Sequence, residues 1–491
     1  MFIIFRDSIH VPLAKIGFMA LGLAYLSFLV YNIVTPAYLN GAFFTNPSAF
    51  AALKFLPVYL LVSTLVVLVI AAALYAYIEI GRYKQQVAFL TEKRSVLKVR
   101  VPGDVRETLA SMEAVIEMIS YGSGESLWFP VWWEGQKRPL YSFEIISRGG
   151  TVVFLITTRT FLVDAVRSAI FAFYPRAQVL ESDDYAYDIE YLPEEHTLFP
   201  FEWKFSRGGA LPIKTYIEFQ MEKRNNPGAL SGTNLPAQQP SPLVDPLASL
   251  YDLLGSLRGD EQIWVQYVFR TQKYARPADD AAEDPTDRAY WKKQKLPKDI
   301  QDALIALEEK VLKGRGEGVP PVVLTESEKR LREIGPRLRE KQALEVGIRM
   351  VYVASKDSFT FSRLSPLMTV YKLTSTEDNS LIPHSTILDD VYQVPVLEPP
   401  RKDKEAERLL LLQLYRDRLF WYAPAIYTHQ PSDERGFIKR RVVGPSKRRI
   451  SMVMTSETLT TICHFPTAHI KTPSVQRVLS TTVEPPDNLP V

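Results

Sequence analysis

Residues 141–157 read YSFEIISRGGTVVFLIT, and the order of strand-forming and turn-forming residues in this stretch decides the fold. Residues 141–147 and 151–157 are rich in β-branched and aromatic side chains, which favour strands. Gly149 and Gly150 lie between them, and glycine adopts the positive φ angles of a tight hairpin turn without strain. The stretch therefore predicts two antiparallel strands joined by a short turn.

Helical and extended patterns flank this hairpin. Apolar residues recur at helical spacing over residues 105–119, directly after Asp104, a favoured N-cap residue. Residues 161–173 predict a second helix, and residues 127–133 and 178–182 predict two more strands. This order predicts an α+β sandwich unit, in which a helix pair covers one face of a mainly antiparallel sheet.

The same order of elements recurs further along the chain. Residues 247–257 predict a helix, residues 261–270 and 344–354 predict strands, and residues 358–370 have helical character. A stretch rich in proline, asparagine and glycine, residues 224–242, separates the two series and reads as a loop. We therefore expect an internal duplication, in which the order of elements matches although the residue identities do not.

Residues 271–341 interrupt the second copy. An acidic stretch at 277–287 precedes two mixed-charge helical stretches, 298–313 and 325–341. The second of them begins with Thr325-x-x-Glu328, which is a capping-box pattern. The insertion predicts either a helical hairpin that projects from the sheet or a flexible arm, and a solvated excursion without function is an equal alternative.

Two uncharged stretches near the N-terminus, residues 16–34 and 55–78, are each long enough to cross a bilayer. Buried core helices, or a signal peptide in the case of the first stretch, are the alternatives. Basic residues are concentrated before the first stretch and over residues 82–100. The positive-inside rule therefore predicts a membrane protein with two spans, an external loop at 35–54 and both termini in the cytoplasm.

These patterns predict five regions, which follow one another along the chain. They are a two-span transmembrane anchor (1–81), a first α+β sandwich unit (82–223), a linker (224–242), a second α+β unit with the inserted helical arm (243–400, arm 271–341) and a C-terminal helical region with a Pro-rich tail (401–491).

Composition and missing motifs limit the chemistry. The chain has 491 residues, a formal net charge of +3 and one cysteine, which exclude a globally basic nucleic-acid binder and a cysteine-cluster metal site. It contains no phosphate-binding loop, dinucleotide fingerprint, zincin motif or nucleophile elbow. We therefore expect no catalytic residues, cofactor or metal. Cys463 and His464 are interpreted as a buried thiol beside a packed histidine rather than a reactive dyad, and His469 adds only a weak metal-ligand spacing.

Two C-terminal segments carry the candidate contact residues. A basic run supplies candidate contacts to nucleic acid or lipid, and the aromatic side chains of Phe420, Trp421 and Tyr422 upstream could stack on nucleic-acid bases. The cations of the run are Lys439, Arg440, Arg441, Lys447, Arg448 and Arg449. The tail has three prolines in residues 484–491, which favour an extended conformation suited to binding in a groove. Its candidate docking residues are Glu484, Pro485, Pro486, Asn488, Leu489 and Pro490.

Six stretches after residue 100 carry a resemblance to a known family. They are YSFEIISRGGTVVFLI (141–156), FAFYPRAQVLESDDY (171–185), DPLASLYDLLGSLRGDEQIWVQYVF (245–269), EVGIRMVYVA (345–354), TSETLTTICHFPTAHIKTPSVQRV (455–478) and EPPDNLPV (484–491). In these stretches the chain resembles the membrane-proximal, non-ATPase region associated with type IV secretion or conjugation-type ATPases of the HerA/FtsK-like class in Candidate Phyla Radiation (Patescibacteria) bacteria. The resemblance implies a location at the bacterial inner membrane.

In that family an ATPase core follows this region or is encoded as a separate chain. The resemblance therefore implies a membrane-anchored, non-catalytic scaffold for DNA transfer that docks a separate ATPase and assembles as a homo-oligomer or ring. The alternative from another class is a membrane-tethered nucleic-acid-binding module that uses residues 439–449.

Overall fold

A computed structural model describes residues 92–102, 107–120, 139–188, 191–208, 211–219, 245–272, 295–313, 323–384, 404–418 and 452–467, together with seven isolated helical positions between 66 and 77. Within these residues no helix is both long and apolar enough to span a bilayer. The first predicted span lies outside them, as does the second apart from the isolated positions, and so do the predicted strand 127–133 and Asp104.

From residue 92 onward, the described residues belong to one compact unit that comprises residues 90–127 and 137–491. Its strands are β1 (Arg94–Arg100), β2 (Tyr141–Arg148), β3 (Thr151–Arg159), β4 (Gln178–Ser182), β5 (His196–Phe205), β6 (Gln262–Thr271), β7 (Ala343–Ser355), β8 (Leu381–His384) and β9 (Met452–Thr455). Its helices are α1 (Leu109–Ser120), α2 (Val163–Phe173), α3 (Ala248–Gly255), α4 (Lys295–Lys313), α5 (Glu326–Glu340), α6 (Leu364–Thr369), α7 (Lys404–Arg416) and α8 (Ser456–Ile462).

All nine strands form one antiparallel sheet, which confirms the predicted α+β class. The strand order is β4-β1-β3-β2-β6-β7-β5-β8, and β9 pairs with the start of β7 beyond the end of β5. The predicted hairpin is β2 and β3, and β2 also pairs along its whole length with β6. The sheet is therefore continuous between the two predicted sandwich units.

The order of elements along the chain is βαββαβ twice. The first series is β1-α1-β2-β3-α2-β4 and the second is β5-α3-β6-β7-α6-β8. Each series arranges its strands in the same spatial order, fourth-first-third-second, and the two second strands, β2 and β6, meet at the centre. The sheet therefore has an approximate twofold relation about the β2–β6 pair, and we refer to its halves as the first and second repeats.

The first strand of each repeat was missed in the sequence. Residues 94–100 read as a basic stretch after the membrane, but they form β1 between β3 and β4. Residues 196–205 fall within the predicted first unit (82–223), yet as β5 they pair with β7 and β8 in the second repeat. Pairing between strands more than fifty residues apart in the chain decides both assignments, and such pairing leaves no local signal.

The two faces of the sheet are covered unequally. Most helices pack on one face, where the main hydrophobic core joins side chains from both repeats, including Phe143, Phe154, Tyr267 and Tyr352. On the opposite face a smaller apolar cluster lies beneath α7, with Trp264 and Tyr415 among its members. Alternation along the strands produces this division, since successive side chains of a strand point to opposite faces.

The predicted C-terminal region (401–491) is built into this unit where it is described. Helix α7 covers the second face, whereas β9 extends the sheet and α8 enters the main core. All seven residues of α8 are buried, and Phe465 beyond it makes edge-on contacts with Phe143, Phe154 and Tyr174. The chain that follows α8 therefore starts from a firmly packed point.

The predicted helical hairpin is confirmed for the described part of the insertion. Helices α4 and α5 pack together through Leu296, Ile300, Ile334 and Leu338. Thr325 and Glu328 form the predicted capping box at the start of α5. The hairpin occupies the β6–β7 connection, which in the first repeat is only the Gly149-Gly150 turn between β2 and β3.

That short turn lies against the second repeat with no room for a side chain. Gly150 has φ +83°, and a Cβ atom there would lie 2.9 Å from the Gly255 carbonyl oxygen.

The Gly150→Ala variant should therefore lose about 1–3 kcal/mol of unfolding free energy, as measured by denaturant unfolding of the purified chain. Gly208→Ala is the matched control, because nothing lies within 4 Å of its Cβ position. Equal stability of the two variants would contradict this account.

Candidate functional site

The candidate contact residues of the sequence lie outside the described residues. These are the basic run (Lys439, Arg440, Arg441, Lys447, Arg448, Arg449) and the tail (Glu484, Pro485, Pro486, Asn488, Leu489, Pro490). The described chain ends at Arg418 before the first segment and at Thr467 before the second. The environments of these two ends therefore define how both segments are attached to the sheet.

Arg418 ends the α7 region in an unusual backbone conformation with a buried charge. Its φ is +52°, and it is the only non-glycine residue in the described part of the chain with a positive φ. The guanidinium is 3 % exposed and makes a bidentate contact with Glu144, from Nε to Oε1 at 3.0 Å and from Nη2 to Oε2 at 3.2 Å. It also donates to both carboxylate oxygens of Asp184. One guanidinium thus binds two carboxylates.

Glu144 lies in the middle of β2 and is fully buried. Besides Arg418, it accepts hydrogen bonds from the Ser142 hydroxyl at 2.6 Å and from the Gln266 amide at 3.2 Å. Burial by itself would lower the pKa of Arg418, but the charges and hydrogen bonds of Glu144 and Asp184 raise it well above its ordinary value. Arg418 is therefore permanently charged and hydrogen-bonded to both carboxylates, and removing it would leave Glu144 buried without its partner.

The C-terminal turn of α7 is held by side chains from the sheet. Arg349 donates to the Leu414 carbonyl oxygen at 2.9 Å, and Arg94 donates to the Asp417 carbonyl oxygen at 2.6 Å. Arginines suit this position, because the last carbonyls of a helix have no partners within it and carry partial negative charge. Further hydrogen bonds join Tyr185 to Tyr415 and Gln266 to Tyr415.

We refer to the contacts of Arg418 with Glu144 and Asp184 as the clamp. A polar cleft of about 400 Å³ opens beside the clamp, between the start of β1, the end of β4 and the end of α7. Its lining comprises Glu92, Arg94, Ser95, Val96, Glu181, Ser182, Asp183, Asp184, Tyr187, Arg416, Asp417 and Arg418. Polar groups in this lining bind one another: Arg418 forms an ion pair with Asp184, and the Tyr187 hydroxyl donates a hydrogen bond to the Asp417 carboxylate. Among the described residues no group of three side chains suits a metal ion. The arrangement is suited to holding chain segments in place.

Cys463 and His464 lie at the second end, and both are buried. The His464 ring contacts the Thr460 carbonyl oxygen through Nδ1 at 2.9 Å and the Asp245 carboxylate through Nε2 at 3.2 Å. Burial raises the pKa of the Cys463 thiol, so this sulfur is a neutral packed group. These contacts confirm the interpretation as a buried thiol beside a packed histidine. His469 lies outside the described residues.

Asp245 connects this end to the second repeat. It accepts hydrogen bonds from the Leu247 amide at 2.8 Å, just before α3, and from the Thr467 hydroxyl at 3.0 Å. Burial alone would raise its pKa, but the charge and hydrogen bond of His464, together with these two donors, hold the pKa below the ordinary value. Thr467, the last described residue before the tail, is therefore bonded to the core of the unit.

Three ion pairs fasten the helical arm to the unit. They are Arg330–Glu218, Arg337–Glu457 and Lys341–Glu113, with nitrogen–oxygen distances of 2.8, 3.0 and 3.0 Å. Glu457 and Glu113 are buried, and Glu113 also accepts a hydrogen bond from the Tyr216 hydroxyl at 2.6 Å. The base of the arm is therefore rigidly attached to α1 and α8.

Reasoning from the sequence missed the residues that form these attachments. One signal was available, because Glu144 interrupts the apolar hairpin strand 141–147 and a buried carboxylate requires a partner. Its partner Arg418 is 274 residues away, and Asp245 and His464 are 219 residues apart, so neither pair is visible in the local sequence.

No family model matches the chain, and no curated protein is detectably similar to it.

Replacing Arg418 tests the clamp. Arg418→Met leaves Glu144 buried without a counter-charge, and we expect a loss of about 3–5 kcal/mol in unfolding free energy by denaturant titration. The matched control is Arg167→Met, whose partner Glu181 is 62 % exposed, with an expected loss of about 0–1 kcal/mol. The double variant Arg418→Met, Glu144→Leu should recover part of the loss because it removes the unpaired charge. A loss at Arg418 no larger than that at Arg167 would contradict the clamp.

The Asp245 carboxylate should make stability depend on acid pH. Its pKa is lower in the folded state, so the unfolded chain binds more protons, and the contribution is present above the unfolded pKa of about 4. This contribution is lost as the pH falls through the lower, folded value. Asp245→Asn should therefore be less stable than the parent at neutral pH, with a smaller difference below pH about 4 in thermal unfolding. A constant difference across the titration would show that Asp245 does not contribute in this way.

Proposed function

We propose that the chain is a membrane-anchored, non-catalytic component of a type IV secretion-like or conjugation-like machine, and that it docks a separate ATPase of the HerA/FtsK-like class at the cytoplasmic face of the membrane. Two N-terminal spans would anchor it, and the repeated βαββαβ order would have arisen by internal duplication. The rigid attachment of both C-terminal segments to one continuous sheet supports this role.

The described residues that precede the two segments lie on opposite faces of the sheet. Residues 419–451 start at Arg418, which the Glu144 and Asp184 carboxylates hold on the α7 face. Residues 468–491 start at Thr467, whose hydroxyl is bonded to Asp245 on the helix-covered face. A scaffold needs such fixed starting points, because a short tether restricts its ligand to a small volume and so raises the effective concentration of that ligand.

The helical arm is a second feature that suits docking. Its base is held by ion pairs to the buried carboxylates of Glu457 and Glu113, whereas Leu312 and Val323 near its far end are 62 % and 84 % exposed. Large exposed apolar side chains on a rigid element favour protein contact, since their burial gains free energy without ordering a flexible segment. The arm would thus supplement the tail in holding the ATPase.

Replacing the tail tests the proposal. Residues 482–491 are exchanged for a Gly/Ser segment of equal length, and ATPases of this class from the same genome are co-expressed with the full chain. We expect capture of one of them to fall at least about tenfold, which corresponds to 1.4 kcal/mol, with an unchanged unfolding midpoint. The control changes the six cations of the basic run to alanine and should capture as well as the parent.

Three results would count against this function. Equal capture by the tail variant would show that the tail is not the tether. Failure of the parent chain to capture any such ATPase would contradict docking. DNA retention that falls steeply with salt and is lost in the six-cation control would instead identify the nucleic-acid-binding module.

A further inference from the structure

Two strands form the outer edges of the sheet, and they differ in how they meet solvent. Within the described residues β4 pairs with β1 alone and β8 with β5 alone. Four of the five residues of β4 are exposed, whereas in the four-residue β8 only Ile382 is. Strand β8 also contains Pro383, which lacks an amide hydrogen and is typical of a protected edge. Of these two edges, β4 is therefore the one suited to accept a further strand.

The β4 edge carries none of the devices that usually block strand addition. It pairs with β1 over five consecutive residues without a bulge and contains no proline. Val179 points into the main core, whereas Leu180 lies on the opposite face beside Lys98 and is 47 % exposed. The Glu181 carboxylate is paired with Arg167 at 3.0 Å. A regular edge with an exposed leucine and a compensated charge is a template for backbone pairing.

The two ends of β4 carry opposite charge. Arg176, before the strand, is 40 % exposed and lies 4.0 Å from a Glu107 oxygen, at the outer limit of an ion pair. Asp183, after the strand, is exposed and has no ionic partner in the described part of the chain. A second copy of β4 that runs antiparallel would bring the basic end of each copy to the acidic end of the other, whereas a parallel copy would bring like charges together. The strand is therefore complementary to itself in the antiparallel direction.

Side-chain alternation limits the register of such a pair. Directly opposite residues of antiparallel strands point to the same face, so a twofold axis must pass through one residue and its own copy. Leu180 is the middle residue of β4, and an axis there pairs all five residues of both strands. This register puts the two leucines side by side and Gln178 opposite Ser182 of the second copy. The alkyl stems of the neighbouring Lys98 side chains could cover the leucine pair.

We propose that β4 pairs with β4 of a second copy of this chain, antiparallel and about a twofold axis at Leu180, so that the two sheets become continuous. The proposal goes beyond the proposed function and does not rest on it, because every residue that it uses lies in one compact unit. Five residue pairs make a small interface, so the dimer exchanges with the monomer at roughly micromolar concentrations.

A charge at the axis tests the pairing on the purified full chain. Leu180→Lys places two like charges side by side, and we expect the dissociation constant of the dimer to rise at least about tenfold in sedimentation equilibrium. The matched control is Ile382→Lys on the other edge, which should dimerise like the parent. Thermal unfolding of each variant, measured at a concentration where the parent is monomeric, should stay close to that of the parent because both side chains are exposed.

Disulfide formation tests the register. Cysteines are introduced with Cys463→Ala, which removes the only native thiol, and the full chain is oxidised. Leu180→Cys should form a disulfide-linked dimer, because directly opposite Cα atoms lie about 4.5–5.5 Å apart. Gln178→Cys and Ser182→Cys should each stay monomeric, since each position lies about 13 Å along the strand from its own copy. A mixture of these two variants should form a linked heterodimer.

Several results would overturn the proposal. They are a parent chain that stays monomeric at about 100 μM, equal weakening by the two lysine variants, and no link at position 180. A link formed by Gln178→Cys alone, or by Ser182→Cys alone, would contradict the register. If oxidation in the presence of a co-expressed ATPase links position 180 to that ATPase and never to a second copy, β4 binds another partner and the dimer is wrong. The lysine variants keep the native Cys463, so they test the pairing even if the cysteine variants fold poorly.

Discussion

The backbone hydrogen bonds between β2 and β6 join two four-stranded halves into one sheet, and the other features of the molecule depend on this pairing. Each second strand would otherwise be an unpaired edge in the middle of the protein, with its N–H and C=O groups without partners. Eight consecutive residue pairs, centred near Ile145 and Val265, connect the halves. Because the pair is antiparallel, equivalent elements of the two repeats lie at opposite ends of the sheet.

The same seam links each repeat to a helix of the other. The Ser147 hydroxyl near the end of β2 donates to the Leu254 carbonyl oxygen in α3, and the Thr271 hydroxyl at the end of β6 donates to the Ser120 carbonyl oxygen in α1. Unpaired carbonyls at helix ends are thus satisfied from the opposite repeat. The two halves share hydrogen bonds as well as a core, and they form one body on which partners can be positioned.

Buried charges then attach later parts of the chain to this body. Glu144 and Asp184 hold Arg418 on one face, whereas Asp245 holds His464 and Thr467 on the other. A buried charge requires one particular partner and therefore specifies where a segment docks, whereas apolar contact alone tolerates many arrangements. The two C-terminal segments that carry the candidate contact residues consequently start from defined points, which is the property that a scaffold requires.

The sequence by itself determined the elements whose signals are local. The β2–β3 hairpin, α2, β4, the capping box of α5 and the series α3, β6, β7 and α6 could be read from periodicity, turn residues and caps, because these depend on residues close together in the chain. Only the tertiary structure decided the partners of β1 and β5, the burial of α8 in the core, and the Glu144–Arg418 clamp. These features arise from contacts between residues far apart in the chain, and pairing energies of that kind leave no trace in the local pattern of either partner.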